Sequence, residues 1–241
     1  MTSSNPSHIL CGGACLFPLP AGPTCAAAAR ALLRSVMGTL GLPDELIEDG
    51  VLSVSELAAN SHLHTAPGAG AELWVWGRTR PVPQLVVSVF DGDRSAMPRP
   101  GSANLLDERG KGLAIVDHLA LDWGSHFSRG RLGAGPRPGK CVWFSLALSV
   151  PWPWTSRIIS PELAARRLVD VLGARGLVAG RRAGGGGVFL VTAGELDVWV
   201  EPRSFSWCDG AGGRVRLPLL DLQDAAEHVV RRVEEAVSGR R

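Results

Sequence analysis

The sequence predicts an α+β protein in two units, from three features. Two long helix-patterned runs lie near the start, Thr24 to Leu40 and Pro43 to about Ala66. Apolar runs of strand length then cluster at Glu72–Gly77, Gln84–Phe90 and Cys141–Leu148. "PWPWTSR" (Pro151–Arg157) breaks the pattern, and a helix, short strands and a last helix follow it. The expected division is a lead with a first strand (residues 1–22), a main domain (23–150), a linker (151–157) and a small α-β-β-β-α domain (158–241). A chain of 241 residues has room for one medium and one small domain.

The elements follow in order. Residues 1–22 read as a loose lead with a short strand around Cys15–Leu19. Thr24 suits the N-cap of the Ala-rich helix, Gly41 closes it, and Pro43-Asp44 opens the next. Pro67-Gly68-Ala69-Gly70 is a turn. The strands Glu72–Gly77 and Gln84–Phe90 are joined by a Pro-containing hairpin loop. Asp91 to Arg109 has no period, and loops of that length are usually functional or disordered. Gly112–Leu121 reads as a short helix, Arg129–Lys140 as a Gly/Pro-rich loop and Cys141–Leu148 as the last strand of the main domain. Ser160 then caps a helix to about Arg175. Strands are expected at Val188–Thr192, Leu196–Val200, Phe205–Trp207 and Val215–Leu217, and Asp221 caps a helix through Val237. "AGGGGV" (Ala183–Val188) is a turn; without a following Lys-Ser/Thr it is not a phosphate loop.

Composition narrows the function. Apolar residues at 45% and charged residues at 20% suit a globular protein with a core. A net charge of +2 gives no electrostatic case for nucleic acid or an anionic membrane. Five cysteines show no metal-site spacing, so reduced thiols are expected. No apolar run approaches the roughly 20 residues of a membrane span, and the start lacks the charged region of a signal peptide. These features predict a cytoplasmic protein. Trp199, Phe205 and Trp207 are expected to fill the small domain's core or its seam with the first domain. The basic cluster Arg231, Arg232, Arg240 and Arg241 reads as a solvated helix end, because Glu227, Glu234 and Glu235 lie among it.

The second helix, "LSVSELAANSHLHT" (Leu52–Thr65), carries Glu56, Asn60 and His64 at steps of four, hence on one stripe. Ile47, Val51, Val54 and Ala58 share the opposite face, yet Leu52 and Leu63 sit beside the polar row. A solvated face does not normally hold leucines there. Both readings stay open at this point, a ligand set or surface polars. "VVSVFDGDR" (Val86–Arg94) ends an apolar strand on Asp91 beside Gly92. A carboxylate there can accept from an exocyclic amine; an ordinary Asp-Gly turn is the alternative. "ERGKGLAIVDHLALDWG" (Glu108–Gly124) opens a helix with Gly110 and Gly112 around Lys111. Free N–H groups at a helix start bind anions, and Arg109 and Lys111 add charge.

Taken in order, these pieces resemble the GHKL ATP-binding fold, and most closely the anti-sigma-factor serine/threonine kinases and their short actinobacterial relatives. The matching stretches lie between Phe17 and Leu148, among them "LSVSELAANSHLHT", "LVVSVFDGDRSAMPRP", "GKGLAIVDHLALDWG" and "GKCVWFSLAL". The resemblance implies an α/β sandwich with a mixed sheet covered by helices on one face. It implies ATP and Mg2+ as cofactors, with Glu56 as general base and Asn60 as the magnesium ligand. It places His64 near the phosphates, Asp91 with Gly92 at the adenine, and Arg109, Gly110, Lys111 and Gly112 at the phosphate end of the lid. Leu113 and Cys141 would touch the nucleotide. Departures from the family pattern are Asp93 where Gly is frequent, Leu63 where Arg is frequent, and Cys141 where Thr is frequent.

The implied activity is transfer of the ATP γ-phosphoryl to a Ser/Thr of a partner, by resemblance a STAS-type anti-sigma antagonist, with a sigma factor as the other partner. A homodimer is compatible with this. The alternative is an ATP-binding module that regulates a partner by binding alone. A sensor histidine kinase is disfavoured, since no dimerisation helices with a phospho-accepting His are evident. Gyrase-like and chaperone ATPases are disfavoured because each needs a larger following domain.

Overall fold

The computed structural model describes residues 5–64, 70–95, 97–98, 111–132, 135–148, 159–209 and 212–238. The expected linker 151–157 lies outside them. The chain is α+β, with two five-stranded antiparallel sheets.

The first unit opens on a 3-10 turn, Pro6–Cys11, capped by Asn5, whose side chain accepts from Ser7 N–H at 3.0 Å. Gly12 closes the turn at φ 76°, with a Cβ there prevented by the Leu220 backbone. Strand β1 (Ala14–Leu19), helix α1 (Cys25–Thr39) and helix α2 (Asp44–His64) follow. Then come β2 (Ala71–Arg78), β3 (Gln84–Asp91), α3 (Lys111–Leu119), β4 (Asp122–Arg129) and β5 (Pro138–Ala147). The strand order is β1-β2-β3-β5-β4. All its pairs are antiparallel, so the sheet is not mixed as expected. Consecutive hairpins supply four of these strands in place of a parallel crossover.

Alternation along the strands divides the core. Leu73 and Val75 of β2, Val87 and Val89 of β3, and Phe144 and Leu146 of β5 pack against Leu33, Val36, Val54, Leu57 and Val116 of the three helices. Their neighbours Trp74, Trp76, Val86, Phe90 and Cys141 form a second apolar cluster on the back of the sheet. Both faces are apolar, and the back is covered too, contrary to the expected one-sided sandwich.

The cover comes from the C-terminal unit. It runs α4 (Pro161–Ala174), β6 (Ala179–Ala183), β7 (Phe189–Ala193), β8 (Leu196–Val200), β9 (Ser204–Cys208), β10 (Arg214–Pro218) and α5 (Leu222–Ser238). It is a five-stranded meander: β7 to β10 fall where the four strands were expected, and β6 is the strand not foreseen. Ser160 caps α4 as expected, its hydroxyl accepting from Leu163 N–H at 3.3 Å. Phe205 and Trp207 are buried in this unit's core, whereas Trp199 stands 46% exposed.

Helix α5 packs on β4 and carries acids into the seam. Asp224 pairs with Arg78 at 2.7 Å and accepts from Trp76 Nε1 at 3.2 Å. Glu234 receives Arg94 and Arg129, each at 2.5 Å. Glu227 receives Arg175 and Ser128, and lies 3.1 Å from His126 Nε2. In the expected solvated end, the Arg231 and Glu235 side chains are indeed 41% and 49% exposed, but Glu227 and Glu234 are buried because their cations come from elements far away in sequence.

Asp221, just ahead of α5, accepts from Thr79 N–H at 2.8 Å and from its hydroxyl at 3.0 Å. Burial, and then the neighbouring Asp224, push its carboxyl up to about 7. A raised acid holds a proton in the folded chain that the unfolded chain has already released. This group's contribution to stability therefore falls as pH rises from about 4 to about 7. Asp221→Asn keeps both Thr79 contacts and removes that loss. Urea unfolding is expected to show the variant gaining on wild type between pH 5 and pH 8; a variant less stable than wild type at pH 8 contradicts this.

Candidate functional site

A cavity of about 210 Å³ lies between α2 and the front of the sheet. Leu57, Val89, Leu113, Val142 and Met97 supply apolar walls, while Asn60, Ser61, Asp91 and Lys140 supply the polar groups. Steps of three and four on α2 turn Leu57, Asn60 and Ser61 to one side. Strand alternation does the same for Val89 and Asp91 on β3, and for Lys140 and Val142 on β5. A cavity with apolar walls and a few convergent polar atoms suits a small molecule with an apolar body and polar edges.

Asp91 ends β3 with its side chain 3% exposed. Its Oδ1 accepts from Asp93 N–H at 2.8 Å and from Lys140 Nζ at 3.0 Å. Burial raises its pKa, and Lys140 works against that rise. Glu56 lies one turn before Asn60, with its carboxylate against the start of α3. A Cβ at position 112 would fall inside contact distance of Glu56 Oε2, so glycine there lets the helix start approach the carboxylate.

The expected site residues divide clearly. Asn60, Asp91 and Leu113 share the cavity, Gly92 follows Asp91 directly, and Glu56 meets Gly112. His64 ends α2 and Lys111 begins α3, but both side chains lie outside the described part. Arg109 and Gly110 lie outside the described residues altogether.

Cys141 departs from expectation. It sits between Lys140 and Val142, which face the cavity, and so points to the back of the sheet. There burial pushes its thiol far up, and no role in the cavity follows. The residue that does face the cavity, Lys140, was missed. Its signal was present: it is in step with Val142 and Phe144, and a lysine at a core-facing strand position calls for a partner.

On the back face Cys141, His126 and Glu227 bring three donor atoms within 4.8 Å of one another. Their surroundings disfavour a cation. Arg175 is fully buried and bonded to Glu227. The Arg131 guanidinium is so enclosed, and so near Arg175, that its pKa falls to about 9. Burial works to raise Glu227, but Arg175 and His126 outweigh it and hold the carboxyl well below the usual range. A divalent ion would add to the positive charge of Arg175 and Arg131 already packed around this carboxylate, so this trio reads as part of the seam.

No protein-family model matches the chain, and no curated protein does. Among the described residues, no helix is long and apolar enough to cross a membrane.

Proposed function

We propose that the chain is an ATP-binding regulatory protein of the GHKL type, resembling the anti-sigma-factor serine/threonine kinases. The observation that carries this reading is the convergence of Asn60 from α2, Asp91 from β3 and Leu113 from α3 on one cavity. Those residues are 53 positions apart at the extremes, and their side chains suit the metal, base and hydrophobic contacts of one nucleotide. The adenine would lie between Leu57, Val89 and Val142, with its amino group on Asp91.

Magnesium keeps waters and phosphate oxygens and needs few protein ligands, so the single amide of Asn60 suffices to hold it. When bound, it would neutralise charge on the triphosphate. Glu56 would take the proton of the attacking hydroxyl, and the α3 start at Gly112 would lie beside the phosphates. The rest of the rate would come from positioning. The alternative is an ATP-binding module without transfer, supported by the departures from the family pattern at Leu63 and Asp93.

The test follows γ-labelled phosphate from ATP to a panel of STAS-type antagonists, with wild type beside Asn60→Ala. Transfer to a Ser/Thr by wild type, and at least about a hundredfold less by the variant, is expected. Binding of ATP with no transfer to any member leaves the binding-module reading as the better one.

A further inference from the structure

The cavity holds a cation that adenine recognition by Asp91 alone does not use. Lys140 and Asp91 are register partners across β5 and β3. Both side chains are nearly enclosed, at 5% and 3% exposure. Lys140 Nζ donates to Asp91 Oδ1 at 3.0 Å and to the Asp93 carbonyl at 2.7 Å. Asp93 N–H donates to the same Oδ1 at 2.8 Å. An ammonium carries three N–H groups, so one is left over. Asp91 Oδ2 accepts no hydrogen bond among the described residues. The base end of the cavity therefore offers one acceptor beside one donor.

We propose that Lys140 is the specificity-determining residue of this cavity: by occupying Asp91 Oδ1 it leaves Oδ2 as the single acceptor, and so selects an amino-purine edge over a keto-purine edge, a role that rests on the cavity taking a purine nucleotide. A carboxylate with both oxygens free can receive two adjacent donors, the N1–H and 2-amino group of guanine. With Oδ1 committed, it matches the lone 6-amino group of adenine. The spare Lys140 N–H matches the ring-nitrogen acceptor next to that amine. A keto oxygen at position 6 would set acceptor against acceptor, and a buried polar mismatch of that kind is strongly rejected.

The same geometry fixes how an amide at position 91 would lie. The Asp93 N–H and the Lys140 ammonium both need an acceptor, so Asp91→Asn turns its oxygen toward them. Its NH2 then faces the ligand, and the acceptor becomes a donor. The NH2 then suits a 6-keto oxygen, while the Lys140 N–H still suits the unprotonated ring nitrogen of adenine, so the variant should erase the preference for base edge as well as weaken binding. Lys140→Met acts differently. Lys140 is the cation facing Asp91 from β5, Asp93 is the acid facing it from the following loop, and Asn60 and Ser61 on α2 are neutral. Without Lys140 the Asp91 Oδ1 is open to the N1–H of a keto-purine, and the N–H that suited the adenine ring nitrogen is gone, so the cavity accommodates either edge.

The experiment is equilibrium titration at pH 7 with magnesium, using ATP and inosine triphosphate as probes, on wild type, Asp91→Asn and Lys140→Met. Urea unfolding of each protein controls for folding. Wild type is expected to favour ATP by about tenfold or more, and Asp91→Asn and Lys140→Met each to bind the two nucleotides within about threefold of one another. Equal weakening of both nucleotides in Asp91→Asn overturns the proposal, and so does an unchanged ratio in Lys140→Met. The isosteric Asp91→Asn decides the matter alone if Lys140→Met fails to fold. Equal binding of the two nucleotides by wild type overturns the Lys140 role and leaves the nucleotide reading intact. No ATP binding by wild type overturns both.

Discussion

Glu56→Gln is expected to leave ATP affinity within about threefold of wild type and to lower phosphoryl transfer by about 10²–10⁴-fold. The substitution keeps the shape of the side chain that lies against Gly112 and removes its capacity to take a proton. The base, hydrophobic and metal contacts assigned to Asp91, Leu113 and Asn60 stay in place, so binding should survive. Rapid-quench transfer and equilibrium binding on one preparation separate the two effects. Matched losses in both would mean that Glu56 holds the nucleotide and is not the base. The reciprocal variant, Gly112→Ala, pushes a methyl into the Glu56 carboxylate and should impair transfer in the same direction.

Glu227→Ala is expected to cost about 3–5 kcal/mol of stability, the cost of leaving a buried charge uncompensated. Arg175 is wholly buried, lies 4.2 Å over the Trp74 ring, and donates to Ser128 Oγ at 2.9 Å and Arg129 O at 3.2 Å. None of those partners carries a negative charge. Arg131 is enclosed nearby and repels Arg175. Removing Glu227 therefore leaves Arg175 without a charged partner among the described residues, and leaves Arg131 with Glu72 as its nearby carboxylate. The double change Glu227→Leu with Arg175→Met removes both members of the main pair and should recover most of the loss. Urea unfolding of the three proteins decides it. A loss below about 1 kcal/mol in Glu227→Ala would show that the pair is solvated in solution and the seam loose.

The front of the first sheet was legible because its signals are local. Val87, Val89, Phe144 and Leu146 alternate within single strands, and α1 and α2 show helical spacing between recognisable ends. The polar row was legible for the same reason, since Glu56 and Asn60 are one turn apart. Strand β4, "DWGSHFSR", was not. Gly124, His126 and Ser128 line its back face, and two of them are satisfied by Glu227, about a hundred residues later. No short window contains that partner. Strand β6, "AGRRA", is a largely exposed edge with neither β-branched nor aromatic residues, so neither propensity nor alternation marks it.

The assignment of Cys141 failed by one residue of register. In a strand, one step exchanges the two faces. A sequence motif places a residue near a site without saying which side of the sheet it occupies. The pairing of β3 with β5 brings Lys140 opposite Asp91 and sends Cys141 to the seam. The acids of α5 were assigned to the wrong cations for a related reason. Glu227 and Glu234 were read with the arginines of their own helix, whereas the cations that draw them inward, Arg175, Arg94 and Arg129, belong to other elements.

The measurement that bears most directly on the central claim is calorimetric titration of the folded wild-type chain with ATP in the presence of magnesium, beside Asp91→Ala. Saturable binding at one site per chain, lost in the variant while its unfolding transition is retained, is the predicted result. No binding by folded wild type, or equal binding by Asp91→Ala, would contradict the assignment of this cavity to a nucleotide.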